Sequence, residues 1–159
     1  MPVIRFVREG CDVECFPGEN LRDVALRVGV ELYGLKGKLG NCGGCGQCIT
    51  CFVGVAGNAA DQAALSGLTP VEERKLQGRP PGWRLACQAL VERSLVVLTR
   101  PQVGWAQGEQ LLAAAAADPL PPGPIAWPTP PAEPEAEEEQ SATADEAGPE
   151  GPIAGDTVR

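Results

Sequence analysis

Four cysteines stand at every third position in the stretch Cys42-Gly43-Gly44-Cys45-Gly46-Gln47-Cys48-Ile49-Thr50-Cys51, and the chain of 159 residues contains no histidine. A fifth, Cys87, follows in Arg84-Leu85-Ala86-Cys87-Gln88. Thiolates are soft ligands, so a site built from cysteine alone selects zinc, copper(I) or an iron–sulfur cluster. The interleaved glycines allow sharp turns. They also let backbone N–H groups approach the sulfurs, where hydrogen bonds help to set a reduction potential.

The residues alone leave three ligand sets open. Cys42, Cys48, Cys51 and distant Cys87 form a C-x5-C-x2-C…C pattern that leaves out Cys45. The regular run Cys42, Cys45, Cys48 and Cys51 approaches the bacterial four-iron motif, but its last spacing is one short and no proline follows. Two C-x2-C pairs could make a structural zinc site, although such pairs are ordinarily separated by a longer stretch.

Such a loop needs elements to hold it. Val3–Arg8 and Asp12–Phe16 alternate around a turn at Glu9-Gly10-Cys11, which predicts a β-hairpin with Ile4, Phe6, Val13 and Cys15 on the inner face. Asn20 is a good helix N-cap, with Asp23 placed for a capping-box-like arrangement. Leu21, Val24, Ala25 and Val28 then follow at helical spacing up to Gly29. Six glycines between Gly34 and Gly46 predict irregular backbone. Thr50–Val55 resumes strand character, and residues 57–68 read as a small-residue loop. Thr69-Pro70-Val71-Glu72 carries the signature of N-cap, N1 proline and capping-box glutamate, opening a short helix to about Gln77. Ser94–Thr99 reads as a strand buried on both faces. The order predicts an α+β domain, a mixed sheet with one main helix.

Composition changes at Pro101. Residues 1–100 hold 12 Lys+Arg and 10 Asp+Glu, a net +2, whereas residues 101–159 hold 1 and 11, a net −10. The second part is Ala-, Pro- and Glu-rich and is predicted to be a disordered tail, since it offers too little apolar surface to offset ordering entropy. Within it, Gln107–Ala117 has the composition of a short helix that could pack on the domain or on a partner, with Trp105 as anchor. Pro119–Pro131 reads as a stiff linker and Glu133–Glu139 as an acidic run. The expected division is therefore 1–100 and 101–159. No signal-peptide-like or membrane-spanning run is present, and seven cysteines without a signal sequence favour metal ligation in a reducing, cytoplasmic setting. The charge pattern gives no nucleic-acid signature. With no histidine and no convergent carboxylates, the chain is not expected to be an enzyme.

The cysteine loop, followed by Arg84-Leu85-Ala86-Cys87-Gln88, closely resembles the [2Fe–2S] ferredoxins. Its C-x5-C-x2-C spacing is similar to that of the adrenodoxin-like branch and related oxygenase reductases, one residue longer than the plant-type C-x4-C-x2-C. Leu32–Lys38 also resembles ferredoxin-like proteins of cyanobacteria and chloroplasts. The resemblance spans residues 1–100 and implies a β-grasp fold. It further implies one [2Fe–2S] cluster on Cys42, Cys48, Cys51 and Cys87. The implied function is one-electron transfer between a ferredoxin reductase or other donor and an acceptor enzyme, by a monomer. A Rieske-type site would need two histidines. The alternatives are a ferredoxin-like subunit peripheral to a larger membrane-associated redox complex and, in another class, a zinc-binding interaction module. The chain departs from its acidic-surfaced relatives, because Glu72 and Glu73 stand beside Arg74 and Lys75 and the domain is slightly positive. Cys45 is expected as an inert loop thiol, Cys11 and Cys15 as small buried hydrophobes, Trp83 as packing, and Lys36 and Lys38 as solvated charges.

Overall fold

A computed structural model of the chain describes residues 1–56 and 63–121. The 57–62 part of the expected loop, and the expected linker and acidic run beyond 121, lie outside the described residues.

The hairpin forms as β1 (Val3–Phe6) and β2 (Cys11–Glu14), antiparallel with Ile4 opposite Val13. Ile4, Phe6 and Cys15 are buried, and Val13 packs half-exposed against the same core. Helix α1 (Leu21–Arg27) crosses this face with Leu21, Val24 and Ala25 fully buried. Each fully buried aliphatic or aromatic side chain of this kind contributes about 1.5–3 kcal/mol. Asn20 caps α1 by accepting from the Arg22 N–H, but the reciprocal Asp23 contact does not form, because that carboxylate pairs with Arg22. Val28 departs from the expected stripe. It is 43% exposed, since the helix has already ended.

The glycine-rich segment is not wholly irregular. Leu35–Leu39 forms a short helix, α2. Gly37 makes it possible, because its missing side chain lets the turn lie against Tyr33 and Thr50; a Cβ there would sit 3.1 Å from the Cβ atom of each. Strand β3 (Phe52–Val55) follows, and then α3 (Pro70–Lys75) with the expected Thr69/Glu72 capping box. Glu72, however, is not on the surface beside Glu73. It is fully buried, and it receives Arg84 Nε at 2.8 Å, Arg84 Nη2 at 3.0 Å and the Leu85 N–H at 2.9 Å. Sequence periodicity on a six-residue helix could not reveal a partner twelve positions away.

Strands β4 (Trp83–Leu85) and β5 (Leu95–Thr99) complete a five-stranded sheet in the order β2-β1-β5-β3-β4. The central β5 runs parallel to β1 and antiparallel to β3, and every residue in it is buried. This α+β arrangement is the β-grasp fold expected from the resemblance.

The second face of β5 is covered by helix α4 (Trp105–Ala117). An Ala-rich helix of this length is marginal in isolation, so tertiary contacts hold it. Leu112 packs with Ala56, Val96 and Leu98, and Arg5 donates to the carbonyls of Ala115 and Asp118, both at 3.2 Å. The side chain of Trp105 lies outside what is described. Gly108 sets the approach: a Cβ there would lie 2.5 Å from Leu98 Cδ2. Gly108→Val is expected to lift α4 from the sheet, accelerating amide exchange across residues 109–117 while β1 and β5 keep their protection. Unchanged exchange in α4 would show that the glycine does not set the docking.

Candidate metal centre

The register of the sheet brings the distant cysteines together. Phe52 pairs with Leu85 across β3 and β4, and Ala86 N–H donates to the Cys51 carbonyl at 3.0 Å. The residue before β3 and the 3-10 turn after β4 (Ala86–Gln88) therefore meet at one end of the sheet, placing Cys51 Sγ 3.3 Å from Cys87 Sγ. Both are buried, Cys51 to 2% exposure and Cys87 to 7%.

The loop supplies a second pair. The Cys42 thiol meets the thiol and the backbone N–H of Cys48, the N–H of Gly44 and the thiol of Cys45. Gly43, Gly44 and Gly46 all have positive φ, and so does Ile49 at 48°. A β-branched residue in this region is uncommon and costs backbone strain. Cys48 Sγ lies 2.9 Å from Thr50 Oγ1.

Charge in the two pairs is unevenly held. The backbone N–H of Cys48, aided by the donors beside it, pulls the Cys42 thiol down to about 5. Between Cys51 and Cys87 one proton is shared. Cys51 donates, so its own thiol is pushed up, while the hydrogen bond from Cys51, with those from Gln88 and the Gly46 N–H, brings Cys87 down to about 6 despite burial. Cys15, by contrast, is raised to about 11 by burial. With any metal removed, Cys42 is thus a half-exposed thiolate at pH 7 and Cys15 a buried thiol. Iodoacetamide is expected to label Cys42 well before Cys15, with the Cys42 rate falling only as pH drops through about 5, because the thiolate is the nucleophile. Equal labelling rates at pH 7, read by peptide mass spectrometry, would contradict this asymmetry.

Among the described residues, no three His, Cys, Asp or Glu side chains converge as a single metal ion would require. The thiols instead form two groups that feel each other's charge: Cys42 contacts Cys48 and the exposed Cys45, and Cys51 lies beside Cys87. Two thiolate pairs, with backbone donors at Cys42 and Cys87, fit the donor set of a binuclear iron–sulfur cluster.

Several residues that support the site have roles that the sequence alone does not give. Gln88 ties the loop to the Cys87 turn, its Nε2 donating to the Gly44 carbonyl at 3.0 Å and lying 3.6 Å from Cys87 Sγ. Asn20 donates to the Cys87 carbonyl at 3.0 Å. Arg22 donates to the Tyr33 hydroxyl at 2.5 Å and flanks Gly44. Gly46 is irreplaceable in a different sense: its φ is +76°, and a Cβ would fall 2.7 Å from Val71 Cγ1. The adjacency of Gln88 to Cys87 and the place of Gly46 among the clustered cysteines are the sequence signals that bear on these residues.

No family model and no curated protein matches this chain. Solved structures do. An ISC-like [2Fe–2S] ferredoxin (FdxB) from Pseudomonas putida JCM 20004 is 28% identical, with 62% of this chain and 91% of that one covered at a TM-score of 0.50. A ferredoxin from Rhodopseudomonas palustris HaA2 is also 28% identical, over 61% and 94% at 0.47. A reduced putidaredoxin variant from Pseudomonas putida is 24% identical, over 61% and 92% at 0.46. The match to the ISC-like protein takes in nearly all of that molecule, so the chain has the β-grasp fold of the [2Fe–2S] ferredoxins. No helix among the described residues is long and apolar enough to cross a membrane.

Proposed function

We propose that this protein is a one-electron carrier that holds a single [2Fe–2S] cluster on Cys42, Cys48, Cys51 and Cys87. The observation that carries the reading is the meeting of two thiol pairs, drawn from residues far apart in sequence, at one end of a ferredoxin-type sheet. When bound, such a cluster supplies reversible one-electron chemistry at a potential set by its surroundings. The chain's own residues orient and shield. Backbone N–H groups of Gly44, Gly46 and Cys48 point at sulfur, Gln88 locks the loop to the Cys87 turn, and burial keeps Cys51 and Cys87 from water. Nothing here calls for substrate chemistry. The partners are proteins: a ferredoxin reductase or another donor on one side and an acceptor enzyme on the other.

The C-x5-C-x2-C spacing supports the adrenodoxin-like branch over the plant type. Seven cysteines without a disulfide support a reducing compartment. The test is anaerobic purification followed by metal analysis, visible absorption and EPR of the reduced form. A red-brown protein with two irons per chain and a reduced-state signal is expected. A colourless, redox-silent protein containing zinc would overturn the assignment.

A further inference from the structure

We propose that α2 is the docking platform for a redox protein whose contact face is acidic around an apolar centre. This rests on the electron-carrier reading and names the partner's chemistry.

The platform is defined by two leucines that the fold does not use. Leu35 is 77% exposed and Leu39 86%, the two most exposed of the large apolar side chains among the described residues. They stand four positions apart, so they share one face of the helix. The opposite face is closed by Gly37, pressed against Tyr33 and Thr50.

That contact also wires the platform to the thiols. Thr50 Oγ1 reaches Cys48 Sγ, Asn41 Nδ2 donates to the Gly37 carbonyl at 3.2 Å, and the Gly43 N–H donates to Asn41 Oδ1 at 3.0 Å. A partner seated on α2 is therefore held beside the loop that carries Cys42 and Cys48. Electron transfer requires this closeness.

Charge selects the partner. Between Glu31 and Asp61 the only charged residues are Lys36 and Lys38. Glu31 bonds Lys38 and also Arg100 at 3.1 Å, and Arg100 reaches Glu9 at 3.9 Å, so these two cations are matched by two carboxylates. Lys36 has no ion pair among those described and adds a further positive charge. Exposed leucines with lysines between them match an interface having an apolar core and a charged rim. The complementary rim is acidic, which steers encounter and weakens with salt. A second copy of this chain fits poorly, since a two-fold contact would set these lysines against themselves. A lipid surface fits poorly as well. Polybasic attraction is worth about 1 kcal/mol per cation, and two lysines on a five-residue helix fall short of a stable anchor.

The test uses the full chain purified anaerobically, with an acidic flavodoxin as probe. Wild type is compared with Leu35→Ser/Leu39→Ser and with Lys36→Glu; all three positions are exposed, so neither variant threatens the core. Binding to immobilised flavodoxin at low salt is expected to weaken about tenfold in each variant, the scale of one well-placed interface anchor. Lys36→Glu should also flatten the salt dependence. Electron transfer from flavodoxin hydroquinone should slow in parallel, while reduction of basic cytochrome c should slow in neither variant and should rise in Lys36→Glu, which removes a like charge. The proposal is overturned if wild type fails to bind flavodoxin or if both variants bind as wild type does. It also falls if wild type is a dimer that Leu35→Ser/Leu39→Ser dissociates, or if it binds phosphatidylserine vesicles through these residues. The visible spectrum is read separately. Normal flavodoxin binding by a colourless protein would sink the electron-carrier reading and leave the docking face standing.

Discussion

Cys87→Ser is expected to abolish or degrade the two-iron chromophore, while Cys45→Ser leaves its absorption and EPR signal in place. The two thiols differ in position and in company. Cys87 is 7% exposed, lies 3.3 Å from Cys51 and receives hydrogen bonds from Gln88 and the Gly46 N–H. Cys45 is exposed, and its described thiol contact is with Cys42. Losing even an outer-shell partner of a metal ligand costs about 10–100-fold in affinity, so removing a buried ligand should cost at least that. Serine keeps the shape of the site but offers a hard, far less acidic oxygen. Iron per chain, visible absorption and reduced-state EPR decide the matter. Loss of the cluster in Cys45→Ser together with its retention in Cys87→Ser would reverse the ligand assignment.

Glu72→Ala is expected to destabilise the domain by about 3–5 kcal/mol, the cost of leaving a buried charge without its partner. Total stabilities of domains this size are about 5–15 kcal/mol, so the variant should sit close to unfolding. Arg84 is the stranded group. It also donates to the carbonyls of Ser66 and Gly67, at 2.9 and 3.3 Å, but among the described residues only Glu72 balances its charge. The same carboxylate accepts from the N–H groups of Thr69 and Leu85, at 3.1 and 2.9 Å, binding the start of α3 to the strand that leads into Cys87. Cluster retention should therefore fall with stability. Replacing both partners, as Glu72→Met/Arg84→Met, should recover much of the loss, because two apolar side chains of similar volume leave no buried charge. Anaerobic denaturant titration followed by circular dichroism measures both variants. A Glu72→Ala midpoint equal to wild type would show the pair to be dispensable.

Much of this architecture can be read along the chain because its signals are local. Hairpin alternation, the Asn20 and Thr69 caps, and the buried character of Leu95–Thr99 each depend on neighbours within a few residues. The cysteine spacing likewise restricts the chemistry to soft-metal ligation. Local pattern fails where long-range contact decides. Gly37 reads as a helix breaker, yet Tyr33 and Thr50 require its missing side chain, and a helix forms there. Glu72 reads as a capping residue at the surface until the sheet delivers Arg84 to it from twelve positions away. Val28 reads as core until the helix stops one residue short of it, at Arg27.

The cysteines show the division most sharply. Spacing names the candidates, but a run with every third residue a cysteine cannot say which thiols share a side, since several groupings satisfy the same intervals. The Phe52–Leu85 register delivers Cys87 to Cys51, and a loop with positive-φ turns brings Cys42 against Cys48 and the exposed Cys45. Residue types determine which chemistry is open to this chain. Pairing of those residues comes only with the sheet, because hydrogen-bond register and not sequence interval sets the distance between atoms that lie far apart along the backbone.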